Sequence, residues 1–543
     1  MGKNRFLILL LILSTCVAEA QTRQDTLKGS VTHERIWWDI LHYSLTVKPD
    51  YNRQTIAGEN FIEYRVIKKR HTPFMQIDLQ APLTIDSVKF NNKQLTYKQD
   101  GNAWLIKTSA TMDKGVRKII VYYSGKPKVS VNPPWDGGVV WSRDSLNRPW
   151  MAVACQLVGA SVWYPCKVYL GDKPDRGVSV NIIVPDTLVA VSNGLQRGIR
   201  HNADGTCTYS WAVTSPINNY GITFYIGKYV NTKDAFPGKK GKLDMNFWVL
   251  DYNAAKVKSY LIPEVHKTVK SLEHWFGPYP FYQDGFKMVE APYIGMEHQS
   301  AIGYGNQFKK GRYGAKRLTY WDMKTDRMIV HETAHEWFGN NITARDPADR
   351  WVQEGFAGYA EELVMEDFYG SGAAKEFFMA RSTGRIGNKT SVISRYGIFE
   401  DAGDDMYMKG WVLLHMLRAI VSDDYKFKQI LRNLNTHFYH QTVGTKQIEN
   451  FISTASGKDL SKIFDQYLRT TQIPVFEYKI SANKLAYRYT NSVKKFEMPI
   501  KTNFTGKKWL YASGGWKTIF IKRSRADTLS VDPDFYVGVK KVD

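Results

Sequence analysis

The chain has 543 residues, 43% of them hydrophobic and 14% aromatic, which supports more than one large core and excludes a disordered chain. Its formal charge of +22 is spread over single and paired cations such as Lys239-Lys240 and Lys494-Lys495, without a long basic tract. This reads as a solvated basic surface, and no nucleic-acid partner is expected.

At the start, Lys3 and Arg5 precede an apolar run over residues 6–13, and Ala18-Glu19-Ala20 forms a small-x-small cleavage site. The pattern predicts a secretory signal peptide over residues 1–20 and export to the periplasm or the extracellular space. A lipid anchor on Cys16 is the weaker alternative, because Thr15 is unusual before a lipidated cysteine. No later apolar run reaches the roughly 20 residues of a transmembrane helix, so the mature chain is expected to be soluble. Cys155, Cys166 and Cys207 remain after cleavage, which allows at most one disulfide and excludes a disulfide scaffold.

Residues 21–240 read as an antiparallel β domain. Short runs such as His42-Tyr43-Ser44-Leu45-Thr46-Val47 and Lys118-Ile119-Ile120-Val121-Tyr122-Tyr123 alternate with period two and are separated by turn residues. Within this domain, residues 131–150 form a loop rich in Pro, Gly and Trp that is expected to edge a binding cleft. Residues 231–241, containing Pro237-Gly238-Lys239-Lys240-Gly241, read as a linker. The period then changes. Val257, Leu261, Val265, Val269, Leu272 and Phe276 follow helical spacing, and helical patterns dominate from residue 326 to about 470. Strand patterns return over residues 473–543, as in Lys484-Leu485-Ala486-Tyr487-Arg488-Tyr489, and suit a small β-sandwich. The expected architecture is multidomain α and β: an N-terminal β domain, an α-rich catalytic domain over residues 241–472 and a small C-terminal β domain.

The chemistry concentrates in His331-Glu332-Thr333-Ala334-His335. On a helix the two histidines lie one turn apart on one face and can reach one metal ion, with Glu332 beside it. Met328 and Phe338 share that helical spacing. Residues 336–353 then leave room for a loop and a second helix that returns Glu354 to the metal. Two histidines and one glutamate leave a coordination position open, the mark of a catalytic rather than a structural zinc site. Asp346-Pro347 offers a helix start ahead of Glu354. Glu361 is seven residues beyond Glu354 and shares its face, so it is a candidate acceptor for the second N–H of a ligating histidine. The other reading of Glu361 is a solvated glutamate beside Glu362.

Upstream stands Ala291-Pro292-Tyr293-Ile294-Gly295-Met296-Glu297-His298-Gln299. With the metal motif and Met406-Tyr407-Met408-Lys409-Gly410, this resembles the zinc aminopeptidases of the aminopeptidase N and leukotriene A hydrolase family, a gluzincin family with a thermolysin-like catalytic domain. The resemblance covers most of the mature chain, from Trp38-Asp39-Ile40-Leu41-His42-Tyr43 onward. It implies one Zn²⁺ per chain on His331, His335 and Glu354, with Glu332 as general base and Tyr407 as oxyanion donor. It further implies that Glu297 binds the free α-ammonium of a peptide, that Gly295 and Met296 lie along the substrate, and that Gln156 serves the amino-end subsite. His298 and Ile294 depart from the family pattern, which has asparagine and glycine there.

The resulting expectation is a zinc aminopeptidase hydrolysing the N-terminal residue of peptides through an activated water. The alternatives are a zinc endopeptidase and a non-catalytic peptide-binding protein on a peptidase scaffold. The chain also resembles a family whose larger members carry a C-terminal helical domain over the active site. Here a β segment follows instead, and a more open cleft is expected, covered by the 131–150 loop or by a partner subunit.

Overall fold

A computed structural model of the protein describes residues 22–543, apart from 69–70, 110–111, 113, 316–317, 400–402, 482, 504–508 and 522–528. The expected signal peptide lies outside the described residues. Among those residues no helix is long and apolar enough to cross a membrane.

The N-terminal half is built of sheets, as the period-two patterns require. An eight-stranded sheet has the order Leu195–His201, Thr206–Val213, Val178–Pro185, Trp38–Asp50, Thr55–Val66, Val116–Gly125, Thr84–Phe90 and Lys93–Gln94. Its neighbours are antiparallel except where Trp38–Asp50 runs parallel to Val178–Pro185. Along Trp38–Asp50, Tyr43, Leu45 and Val47 are fully buried and the residues between them partly exposed, so one face of the strand is core. A four-stranded sheet (Val189–Ser192, Phe224–Gly227, Pro149–Ala154, Gly138–Arg143) and a three-stranded one (Phe74–Asp78, Ala103–Lys107, Tyr97–Asp100) complete this half. Cys155, Cys166 and Cys207 are all free and buried, so no bridge forms among them.

Two segments differ from the sequence reading. The 131–150 loop contains the paired strands Gly138–Arg143 and Pro149–Ala154, and only its first part remains loop. The segment read as a linker is a hairpin, in which Tyr229–Gly238 pairs along its whole length with Gly241–Leu250. The breakers Pro237, Gly238 and Gly241 crowd its tip and hide the strand that precedes them. A domain boundary at residue 240 would therefore cut the hairpin in its turn. This hairpin opens a five-stranded sheet that continues through Phe286–Glu290 and Ile302–Tyr304 to an edge at Gly295–Met296.

Against that sheet packs the helix Ile262–Phe276, followed by the helices Arg327–Ala334, Trp351–Ser382, Asp405–Val421, Asp424–His437, Thr445–Ser456 and Ser461–Arg469. Trp351–Ser382 is interrupted at Gly370, whose φ of 87° is outside helical geometry. Its first half crosses Asp405–Val421 so closely that a Cβ on Gly355 would lie 2.9 Å from the Cα of Gly410. After Pro474 the described residues form strands: Lys517–Phe520, Lys484–Thr490, Val475–Ser481 and Gly538–Lys541 in one sheet, Met498–Ile500 and Leu510–Ala512 in another. Their apolar residues, among them Phe476, Tyr489 and Ile500, belong to the same buried cluster as the catalytic helices. The core of the C-terminal strands is thus continuous with that of the catalytic half.

Candidate metal centre

The helix Arg327–Ala334 begins at Asp326, whose carboxylate accepts from the backbone N–H groups of Met328 (3.1 Å) and Ile329 (3.3 Å). Tyr304 (2.7 Å) and Asn306 (2.8 Å) also donate to that carboxylate, so the start of the helix is pinned to the five-stranded sheet. The helix ends at Ala334 with His335 as its C-cap, and the chain turns at Gly339, where φ is 136°. Phe338 is therefore off the helix, contrary to the helical spacing, and is part of the core. Asp346 caps the short turn Pro347–Asp349 by accepting from Ala348 N–H (3.0 Å), and Trp351–Ser382 follows directly.

This path brings His331, His335 and Glu354 together, with one potential ligand atom from each lying within 4.8 Å of the others. His331 Nε2 is 3.6 Å and His335 Nε2 is 3.4 Å from the same Glu354 oxygen. Each imidazole is held by its other nitrogen. His331 Nδ1 lies 3.0 Å from Glu361, and His335 Nδ1 lies 2.9 Å from the carbonyl oxygen of Phe338. With those acceptors taking an Nδ1–H, both Nε2 lone pairs face the point shared with Glu354. Glu361 is only 4% exposed, which rules out the solvated reading, and Arg327 grips it with a two-point ion pair (2.6 and 3.1 Å).

The donor set fits a zinc ion: two neutral nitrogens and one carboxylate, buried, with their far sides already engaged. Protein charges alone point the same way. Burial would lower the histidines, yet Glu354 and Glu361 push His331 up to about 10, and Glu354 pushes His335 up to about 9. Burial would raise Glu354, but the two histidines hold it well below the usual carboxylate range. The cluster is arranged for positive charge at its centre.

Around this point lies a cavity of about 470 Å³. Glu332 lines it, and its carboxyl is pushed up by burial in spite of both histidines. It rests on the edge strand Gly295–Met296: a Cβ on Gly295 would stand 2.5 Å from a Glu332 oxygen, so a side chain there would displace the carboxylate. Glu297 is 3% exposed, also lines the cavity, and has one carboxylate oxygen without a hydrogen-bond partner among the described residues. Its backbone carbonyl is fixed by Asn340 Nδ2 (2.8 Å). Gln156 reaches in from the N-terminal half and donates to Glu354 (2.8 Å). Tyr407 lines the cavity from the helix Asp405–Val421, its ring stacked 6.3 Å from that of His331. Burial and the carboxylates Glu354 and Glu297 hold its phenol far above its ordinary value, so it remains a donor. His298, by contrast, turns into the core: it is fully buried, pairs with the Tyr225 hydroxyl at 2.6 Å, and burial depresses it to about 3. Ile294 does line the cavity, as do Pro134 and Trp135 from the 131–150 segment.

The sequence reading missed Arg327, although it stands four residues before His331 and so on the same helical face. It also missed the Phe338 carbonyl, which no side-chain pattern announces, and Arg312, Arg381 and Arg385, which line the cavity from separate segments.

Residues 264–467 match the peptidase family M1 domain. The chain is 27% identical to the aminopeptidase N of Lactococcus lactis subsp. lactis over 519 residues, which is 86% of this chain and 56% of that protein. It is 25% identical to the leucyl aminopeptidase of Saccharolobus solfataricus over 308 residues, 52% of this chain and 37% of that one. It therefore spans little more than half the length of the first relative and less of the second. Its fold is shared with the crystal structure of an M1 zinc metallopeptidase from Deinococcus radiodurans, with a TM-score of 0.66 and 20% identity over 80% of this chain and 94% of that one. The catalytic half thus matches the peptidase family M1 domain, and the fold is shared with an M1 zinc metallopeptidase.

Proposed function

We propose that the protein is a zinc aminopeptidase that removes the N-terminal residue from peptides, with one ion per chain held by His331, His335 and Glu354. The observation that carries the exopeptidase reading is Glu297, a buried carboxylate beside the donor set with one oxygen unpartnered. Such an oxygen is best satisfied by a cationic chain end. The Gln156 amide, already oriented by Glu354, also lines the cavity. Gly295 and Met296 offer an edge strand along which an extended peptide can lie.

Zinc bound at this point supplies Lewis acidity and a water of lowered pKa. Glu332 takes the proton from the attacking water and passes it to the leaving amine, a role suited to a carboxylate raised toward neutrality. Tyr407 donates its phenolic hydrogen to the developing oxyanion. Glu361, locked by Arg327, keeps the His331 proton on Nδ1.

Matched peptides with a free and an N-acetylated amino end test the reading. The free peptide should be cleaved and the acetylated one resist; equal cleavage would point to an endopeptidase and remove the role given to Glu297. Replacing Glu332 by Gln should retain zinc and lower kcat by roughly 10²–10⁴-fold, the range for a general base. Near-wild-type turnover in that variant would sink the assignment. Stoichiometric zinc without turnover on any free-amine peptide would instead favour a binding protein. Export is part of the proposal, on the strength of the pattern in residues 1–20. A mature N-terminus at Gln21, read by mass spectrometry of protein from the periplasm or medium, tests it.

A further inference from the structure

The cavity is electrically divided. Glu297 lies toward His335, with a carboxylate oxygen within 4.8 Å of ligand atoms of His335 and Glu332. On the His331 side the sequence of contacts is His331, Glu361, Arg327, and beyond these the wall carries Arg312, Arg381 and Arg385. Arg327 is committed to Glu361, whereas the other three form no ion pair with a carboxylate among the described residues. Arg381 is 7% exposed, lines the cavity, and its Nε has no hydrogen-bond partner among the described residues. Burial and the neighbouring Arg327 press its pKa down to about 10, the direction expected of a guanidinium held without a counter-charge. Arg312 is half-buried, with its guanidinium carbon over the Trp135 ring at 5.6 Å. Arg385 is exposed beside them. Two carboxylates share this wall: Glu361, neutralised by Arg327, and Asp404, which is exposed and forms no ion pair among the described residues.

A buried, unpaired guanidinium is costly unless something occupies it in the working state. We infer that Arg381, with Arg385 and Arg312, forms a carboxylate-binding subsite at the leaving-group end of the cleft, so that the enzyme prefers short peptides whose free carboxylate reaches it. The inference rests on the aminopeptidase reading, which fixes the amino end at Glu297 and therefore turns the carboxyl end toward the arginines. A cavity of about 470 Å³ lies within the range of small-ligand sites, roughly 300–1,000 Å³, and suits a peptide of a few residues. The carboxylate has two sources, the chain end or an acidic side chain near it.

Calorimetric titration of the zinc-loaded Glu332→Gln enzyme with trialanine and with trialanine amide tests the subsite. The free acid should bind roughly 10- to 100-fold tighter, as for a charged hydrogen-bonded pair. Arg381→Gln, Arg385→Ala and Arg312→Ala should each shrink that ratio, with Arg381 the largest. An amidated tripeptide with glutamate in the second or third position separates the sources: restored affinity assigns the site to a side chain, and unrestored affinity to the chain end. Equal binding of acid and amide overturns the inference, as does a ratio that survives all three variants. Should Arg381→Gln fail to fold, the two less buried arginines carry the test alone. N-acetylated trialanine reports on Glu297 separately. If it binds as well as trialanine while the acid preference holds, the aminopeptidase reading fails and the subsite stands.

Discussion

Glu361 and Glu362 are neighbours on one helix, and each faces a histidine Nδ1, yet the two imidazoles serve opposite ends. Successive helical residues point about 100° apart, so the pair faces two regions of the molecule. Glu361 faces the metal centre, where His331 Nδ1 lies at 3.0 Å. Glu362 faces the packing between helices, where His415 Nδ1 lies at 2.7 Å and Trp411 Nε1 donates at 2.6 Å. Both second nitrogens face a carboxylate, and the difference is in what else stands at that carboxylate. His415 Nε2 stands 3.4 Å from Asp534 near the C-terminus, so carboxylates flank the ring on both sides. They push it up to about 9 against burial, and Asp534 is held down at about 2. The geometry suits an imidazolium ion-paired between the helix Asp405–Val421 and the segment that carries Asp534. His331 Nε2 instead shares its point with His335 and Glu354 and is suited to offer a lone pair. Flanking carboxylates do not decide whether an imidazole becomes a cation or a ligand; a second imidazole meeting the same carboxylate oxygen does.

The comparison can be broken by exchanging each carboxylate in turn. Glu361→Gln should weaken zinc binding roughly 10- to 100-fold in a chelator competition, the usual cost of losing such a partner. Glu362→Gln should leave zinc affinity within about threefold, since its histidine is no ligand; equal losses in the two variants would erase the distinction. Glu362→Gln should in turn cost about 1–3 kcal/mol in a denaturant titration, because His415 and Trp411 both lose a charged acceptor. The smallest effect is expected in the pH dependence of stability. The folded pKa of His415, about 9, is above its unfolded value of about 6.5, so its contribution is complete below pH 6.5 and is lost as pH rises through 9. Tm of the wild type should fall by a few degrees more between pH 6.5 and 9.5 than that of His415→Gln. Identical slopes would show that His415 is neutral in the folded protein.

Much of the centre was readable in the sequence because helices turn spacing into geometry. The spacing alone puts His331 and His335, at i and i+4, on one helical face, and does the same for Glu354 and Glu361, seven apart. Tyr407, Glu297 and Gln156 were candidates only through the family resemblance, since no spacing links them to the motif. The arginines at 312, 381 and 385 come from a loop, a buried helix position and the residues just beyond that helix, and only the packed chain shows that they share a wall. The hairpin at 229–250 was misread for a local reason. Its turn gathers Pro237, Gly238 and Gly241 within five residues, and such density suggests a break in the fold rather than a tip of it.

The crossing of Gly355 and Gly410 determines more than packing. Gly355 follows the ligand candidate Glu354, and Gly410 lies three residues after Tyr407, so the contact between two bare backbones sets how far the phenol stands from the carboxylate. A methyl group at either position would act as a shim between the helices, lifting Tyr407 away while every group that meets substrate kept its identity. The site is therefore vulnerable at a place where it has no side chains at all, and an inventory of reactive groups would not reveal that a neighbour had been disarmed.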